Sequence, residues 1–97
     1  MKGKIKYQAV ITADMINSTH FSTKGTGKWL NELIMVLSEN KSFHWLLTPE
    51  IYRGDSLQGV LKYPEEALEV AILSRAIMKS YSEKSDIRIA VGIGKQS

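Results

Sequence analysis

The chain has 97 residues and a net charge of +3, and 43% of its residues are hydrophobic. This length fits one domain with a modest core, and this composition excludes disordered, collagen-like and low-complexity proteins. Since the chain has no cysteine, a disulfide framework, a thiolate zinc site and cysteine catalysis are excluded too. No apolar run reaches the ~18–20 residues of a membrane span, and the N-terminus lacks a signal peptide's apolar run. We therefore expect a soluble cytoplasmic protein without a membrane partner.

The first part of the chain predicts a strand, a loop and a helix. Residues 7–13 are β-branched and largely apolar, which predicts a buried strand ended by Asp14. Residues 15–27 contain Asn, Ser, Thr and Gly, which predict a loop. Apolar residues then recur at helical spacing through residues 27–39, so this segment predicts a helix. The apolar face of this helix consists of Leu30, Leu33, Ile34 and Leu37.

A hairpin is predicted to follow that helix. Residues 43–53 predict a second strand, in which Pro49 indicates an edge strand or a bulge. Gly54 and Asp55 form a strong tight-turn signal between two extended segments. Residues 56–62 therefore return as a third strand.

The remaining segments predict a second helix and a fourth strand. Pro64 and the two glutamates after it are typical of a helix start. Apolar residues then predict a helix from Ala67 to Tyr81, and residues 87–91 predict a strand. The order is βαββαβ. Right-handed crossovers favour an α+β, ferredoxin-like fold: a four-stranded antiparallel sheet with strand order 4-1-3-2 and two helices on one face.

This topology brings two carboxylates to one edge of the predicted sheet. Asp14 ends the first strand and Asp55 lies in the hairpin turn, so we expect them to be neighbours. Mg²⁺ and Mn²⁺ prefer oxygen ligands, and Mg²⁺ is usually held by one or two carboxylates together with phosphates and water. Residues 17–19 offer backbone N–H groups and hydroxyls to a phosphate. Alternatively, each aspartate has an ordinary role in a turn.

The same segments resemble a known family. Ala13 to Thr19 is similar to the metal-binding first strand and loop of class III nucleotidyl cyclases, and Tyr52 to Leu57 is similar to their Gly-Asp hairpin. Pro64 to Ile77 and Arg88 to Gly94 resemble the helix and the strand that follow. The motifs Asp-x-x-Asn-Ser and Tyr-Arg-Gly-Asp-Ser look closer still to the bacterial SatD-like proteins, which are distantly similar to the cyclase and GGDEF fold.

The resemblance implies a role for each matching residue. Asp14, Asp55 and the Met15 carbonyl correspond to ligands of Mg²⁺ or Mn²⁺. The residues that correspond to the contacts of a nucleoside triphosphate are Asn17, Ser18 and Thr19. Arg53 precedes the hairpin aspartate, and we expect its guanidinium either to pair with a carboxylate or to bind phosphate.

The sequence also departs from the cyclases. They usually have glycine where Asn17 stands, and their half that selects the base and stabilises the transition state has no counterpart here. The chain therefore resembles the N-terminal half of such a domain, or a fragment of a longer protein. Because cyclisation needs positioning and charge stabilisation beyond the metals, we expect no catalysis by this chain alone.

The expected function is divalent-metal-dependent nucleotide binding or regulation, in a homodimer or together with a further domain. One alternative is a non-catalytic dimerisation or scaffold module of a bacterial transcription or stress regulator. An RNA-binding domain is less favoured, because the predicted third strand has no aromatic residue on which a base could stack. His20 and His44 lack metal-ligand spacing, so they are interpreted as surface or partly packed residues.

Overall fold

One antiparallel sheet carries both helices on one of its faces. The computed structural model describes residues 5–16, 23–53, 56–81 and 86–96. The elements are β1 (Tyr7–Ile16), α1 (Thr23–Glu39), β2 (Trp45–Tyr52), β3 (Ser56–Leu61), a 3₁₀ turn (Pro64–Glu66), α2 (Ala67–Tyr81) and β4 (Asp86–Lys95). The strand order β2-β3-β1-β4 and the antiparallel pairing confirm the predicted α+β, ferredoxin-like arrangement.

The central strand β1 separates a buried face from an open one. Its odd-numbered side chains from Ala9 to Met15 are buried, and the even-numbered ones between them are partly exposed. This alternation follows from the two-residue period of a strand. The buried face packs against apolar side chains of both helices, each contributing about 1.5–3 kcal/mol when fully buried. The fully buried helix residues of this core are Leu30, Leu33, Leu37, Val70 and Met78. We call the opposite face of the sheet the open face.

Strand β1 is longer than the sequence predicted. Asp14 was expected to end it, but the strand continues to Ile16, which pairs with Asp86 of β4. The continuation has a clear cause, because Met15 is 5% exposed and belongs to the core. Asp14 therefore lies inside the strand, on its open face.

Helix α1 and strand β4 also exceed their predicted bounds. Helix α1 begins at Thr23 rather than at residue 27. Strand β4 runs to Lys95 instead of residue 91, because Gly92 and Gly94 remain in the β1 ladder. Neither of the two described helices has the length and apolar character needed to cross a membrane.

The edge strand β2 is irregular. Its pairing with β3 shifts register twice, between Trp45 and Leu47 and again between Leu47 and Glu50. Pro49 lies within the second shift, and its backbone lies against Gly59 of β3. The prediction that Pro49 marks an edge strand or a bulge is confirmed, since β2 is an edge strand that contains bulge-type irregularities.

An aromatic contact joins the two helices. The rings of Trp29 and Tyr81 stack with their centres 5.4 Å apart. The Tyr81 hydroxyl donates a hydrogen bond to the Glu32 carboxylate. Burial, and next the hydrogen bond to Glu32, raise the pKa of Tyr81 to about 12. The contact fixes the end of α2 beside the first half of α1.

Candidate metal and phosphate site

One row of side chains crosses the open face of all four strands. Tyr52 of β2 lies opposite Ser56 of β3, and Ser56 lies opposite Asp14 of β1. Asp14 in turn lies opposite Arg88 of β4. Directly opposed side chains of antiparallel strands share one face, so these four side chains stand in line. We call them the polar row.

The backbone pairing explains which neighbour Asp14 contacts. The Gln96 N–H donates to the Lys6 carbonyl at 2.9 Å, and hydrogen-bonded pairs alternate along an antiparallel ladder. Even-numbered residues of β1 therefore bond to β4, and the Asp14–Ser56 pair on the β3 side is a non-hydrogen-bonded pair. Side chains approach more closely in such a pair. The Ser56 hydroxyl accordingly donates a hydrogen bond to the Asp14 carboxylate.

The serine that holds Asp14 is itself buried. Ser56 is 7% exposed, whereas Asp14 is partly exposed. A buried donor thus fixes one carboxylate oxygen of Asp14, while the carboxylate still reaches solvent. A carboxylate oriented in this way can bind a cation without first losing much conformational freedom.

One guanidinium group lies opposite Asp14 in the sheet, and a second lies at the β2 end of the polar row. Arg88 is exposed and takes part in none of the ion pairs found among the described residues. Arg53 lies at the other end of the row, where its guanidinium carbon is 5.2 Å from the centre of the Tyr52 ring. Its φ of 57° is in the left-handed region, which costs a non-glycine residue about 1–2 kcal/mol. These cations suit phosphate oxygens, which guanidinium groups bind with paired hydrogen bonds.

The predicted ligand Met15 has its side chain in the core, and its carbonyl lies near the end of the central strand β1. Since hydrogen-bonding directions alternate along β1, the Met15 carbonyl points to the β3 side. There the described ladder ends at the pair of Asp14 and Ser56. The carbonyl is thus turned away from β4, toward the side on which the chain lies outside the described residues.

Several predicted site residues lie outside the described part of the chain. They are Asn17, Ser18, Thr19 and Asp55. His20, interpreted as a surface or partly packed residue, lies outside it too. Within residues 5–16, 23–53, 56–81 and 86–96, no three Asp, Glu, His or Cys side chains form a group that could hold a metal ion. The described ligands, the Asp14 carboxylate and the Met15 carbonyl, fit Mg²⁺ or Mn²⁺ by their chemistry. They need further oxygens to complete a coordination shell.

His44 contacts a carboxylate away from the polar row. Its backbone N–H donates to Glu66 Oε1 at 2.8 Å, and its Nδ1 lies 2.7 Å from Glu66 Oε2. The ring also meets Tyr63 edge-on, with centres 5.1 Å apart. These contacts join the start of β2 to the 3₁₀ turn before α2, so His44 is an exposed structural residue.

Sequence reasoning missed three members of the polar row as site residues, Ser56, Tyr52 and Arg88. The pairing of β2 with β3 and of β4 with β1 brings Tyr52 and Arg88 into this row. The alternation of Arg88 with buried Ile87 and half-buried Ile89 was the available signal, since it assigns Arg88 to the face opposite the core.

Comparison with known proteins adds no assignment. No protein-family model and no curated protein matches the chain. The resemblance to SatD-like and cyclase proteins therefore stays a prediction that rests on the motifs alone.

Proposed function

We propose that this chain binds a divalent cation together with a nucleoside triphosphate at the polar row, as a binding or regulatory domain. The observation that carries the proposal is the position of Asp14. Its carboxylate is oriented by the buried Ser56 hydroxyl and lies opposite Arg88 of β4, while Arg53 lies against the Tyr52 ring at the β2 end of the polar row. A carboxylate for Mg²⁺ or Mn²⁺ and guanidinium groups for phosphate are the two complementary parts of such a site.

The proposed coordination shell takes few of its oxygens from the protein. Asp14, Asp55 and the Met15 carbonyl are the protein ligands, and phosphate oxygens and water complete the shell. When bound, the cation neutralises phosphate charge. Arg88 then orients the phosphate from the β4 side, and residues 17–19 contribute backbone N–H groups. The resemblance implies binding and not cyclisation, because none of the residues it matches is assigned to hold base and ribose for in-line attack.

Calorimetry with Mn²⁺ tests the metal part of this proposal. We expect Asp14→Asn and Asp55→Asn each to weaken Mn²⁺ binding by about tenfold or more. Glu50→Gln is the matched control, because Glu50 is an exposed carboxylate on the same face, opposite Gln58 in β3. Binding that is unchanged in both aspartate variants would refute the metal site.

A second titration separates phosphate binding from metal binding. With Mn²⁺ saturating, ATP or GTP should bind the unsubstituted chain and should bind Arg88→Gln more weakly. The same variant should retain its affinity for Mn²⁺, because Arg88 donates to phosphate and not to the metal. If Arg88→Gln and the unsubstituted chain bind nucleotide equally, the assigned orientation of the phosphates is wrong.

A dimerisation or scaffold module is the second candidate function. A specific observation favours it, since β4 and α2 expose large apolar side chains, including Ile93 and Leu68. RNA binding has less support, because stacking on a sheet of this topology needs aromatic side chains on the two central strands. Strands β1 and β3 present Thr12 and Gln58 among others on the open face, and no aromatic side chain.

A further inference from the structure

The two edges of the sheet differ in how they resist pairing with another strand. Natural edge strands avoid such pairing with prolines, bulges or charges. Strand β2 has all three, since it contains Pro49, two register shifts and Glu50. Strand β4 pairs with β1 without any register shift over ten residues, and its segment from Ile89 to Gly94 has no charge and no proline. The uncharged middle of β4, between Arg88 and Lys95, is therefore the less protected of the two edges.

The direction of the free backbone groups on β4 follows from the ladder. Because Gln96 bonds to Lys6, the even-numbered residues of β4 pair with β1, and the odd-numbered residues turn their N–H and C=O groups outward. The same odd-numbered residues point their side chains to the helix face. Of these, Val91 is 43% exposed and Ile93 is 58% exposed. The edge thus offers hydrogen bonds and apolar surface from the same residues.

Helix α2 extends this apolar edge. Leu68, Ile72, Arg75 and Lys79 follow helical spacing along one stripe. Arg75 and Lys79 both reach Asp86 at the start of β4, at 2.9 and 3.7 Å, so the stripe faces the β4 edge. Since a crossover helix runs antiparallel to the strand after it, Leu68 and Ile72 lie beside the later part of β4. They are 70% and 60% exposed.

We propose that a second copy of this chain pairs with β4 about a two-fold axis, with Val91 of each copy opposite Val91 of the other. A two-fold axis normal to the sheet keeps both copies' helices on the same face, and it pairs odd-numbered residues with odd-numbered ones. In this register Ile89 of one copy lies opposite Ile93 of the other. About ten backbone hydrogen bonds join the strands, giving one eight-stranded sheet.

This register suits self-association because no like charges oppose each other between the two β4 strands. On the open face, Ala90 lies opposite Gly92, and Arg88 lies opposite Gly94, so small residues leave space for the guanidinium. On the helix face the two α2 stripes meet across the axis, where Leu68 and Ile72 lose solvent contact. The interface is isologous, as closed dimers require. It also leaves Asp14 exposed, so the inference does not depend on the metal and nucleotide site, and it rests on the dimerisation function proposed as the second candidate.

Sedimentation equilibrium of the purified chain between about 1 and 200 µM tests the proposal. We expect the mass of two chains at the upper end and a dissociation constant of about 1–100 µM, typical of a small interface. Val91→Lys places two ammonium groups opposite each other and should weaken association at least tenfold. Leu47→Lys is the matched control on β2, where the side chain is 65% exposed, and it should not change association.

Hydrogen exchange keeps the test decisive if Val91→Lys fails to fold. In the unsubstituted chain, the outward amides of Ile89, Val91 and Ile93 should exchange more slowly as concentration rises, while amides of β2 should not change. A single-chain mass at 200 µM overturns the proposal. So does a dimer that Val91→Lys leaves intact or that Leu47→Lys disrupts, because each would place the interface elsewhere.

Discussion

Replacing Gly59 by alanine should destabilise the protein, because the irregular edge strand would have to shift to admit a methyl group. An ideal Cβ on Gly59 would lie 3.0 Å from Cζ3 of Trp45 and 3.1 Å from the N and Cα atoms of Pro49. Neither neighbour yields easily. The indole N–H of Trp45 donates to the Leu37 carbonyl at 3.0 Å, and Pro49 has a fixed φ.

The size of the effect follows from two opposing terms. Overpacking of this kind costs about 1–3 kcal/mol. Alanine adds back about 0.4–1 kcal/mol to the free energy of unfolding, since it lowers the conformational entropy of the unfolded chain. We therefore expect Gly59→Ala to lower the free energy of unfolding by about 1–2 kcal/mol. For a domain of this size, Tm should fall by about 5–15 °C.

Urea denaturation followed by circular dichroism measures this difference, and Gly92→Ala is its control. A Cβ on Gly92 has no heavy atom within 4 Å, and Gly92 does not occupy the left-handed region. Gly92→Ala should therefore leave stability unchanged or raise it by up to about 1 kcal/mol. If Gly59→Ala proves as stable as Gly92→Ala, the packing of Pro49 against β3 is not as described.

Three further predictions concern pH and activity. The hydrogen bond from Arg75 is the main cause that lowers the pKa of Asp86 to about 2. Ionised Asp86 therefore stabilises the folded protein above pH 4, and this stabilisation is lost as the pH falls to 2. Asp86→Asn should therefore unfold at lower urea at pH 7, and the difference should vanish near pH 2. The pKa of Tyr81 is raised to about 12, so between pH 10 and 12 the folded state holds a proton that the unfolded state has lost. The free energy of unfolding should therefore fall over this range in the unsubstituted chain, and it should fall less in Tyr81→Phe. When the chain is incubated with Mn²⁺ and ATP or GTP, chromatography should detect no cyclic product. Misplacement of the reacting ribose and phosphate groups by about 1 Å already costs ~10²-fold in rate. Turnover that Asp14→Ala abolishes would contradict this prediction.

The order of elements and the sheet topology could be predicted from hydrophobic periodicity and turn residues. The strand bounds could not, because a polar residue or glycine on an open face looks like the end of a strand. Asp14 and Gly92 both led to this error. Each lies on the open face. Buried Met15 continues the strand beyond Asp14, and pairing with Val10 of β1 keeps Gly92 within β4.

The candidate site was predictable only where local chain geometry determines it. The hairpin between β2 and β3 predicted Asp55, which lies outside the described residues, as the neighbour of Asp14. The contact of Asp14 with Ser56 was not predicted. The position of Arg88 opposite Asp14 could not be predicted, because the alternating pattern of β4 permits any register shifted by two residues against β1. A shift of that size would place Ala90 opposite Asp14 instead, and side-chain packing across the whole sheet selects between the two.

The position of β1 at the centre of the sheet has a consequence for how the chain folds. Tyr7 pairs with Lys95, so the first strand to be synthesised needs the last of the four to complete its hydrogen bonding. Contacts between such distant residues slow folding, since a long loop must close before they form. Until β4 arrives, one side of β1 stays unpaired, and a nascent chain with β1, β2 and β3 in place exposes its central strand to aggregation.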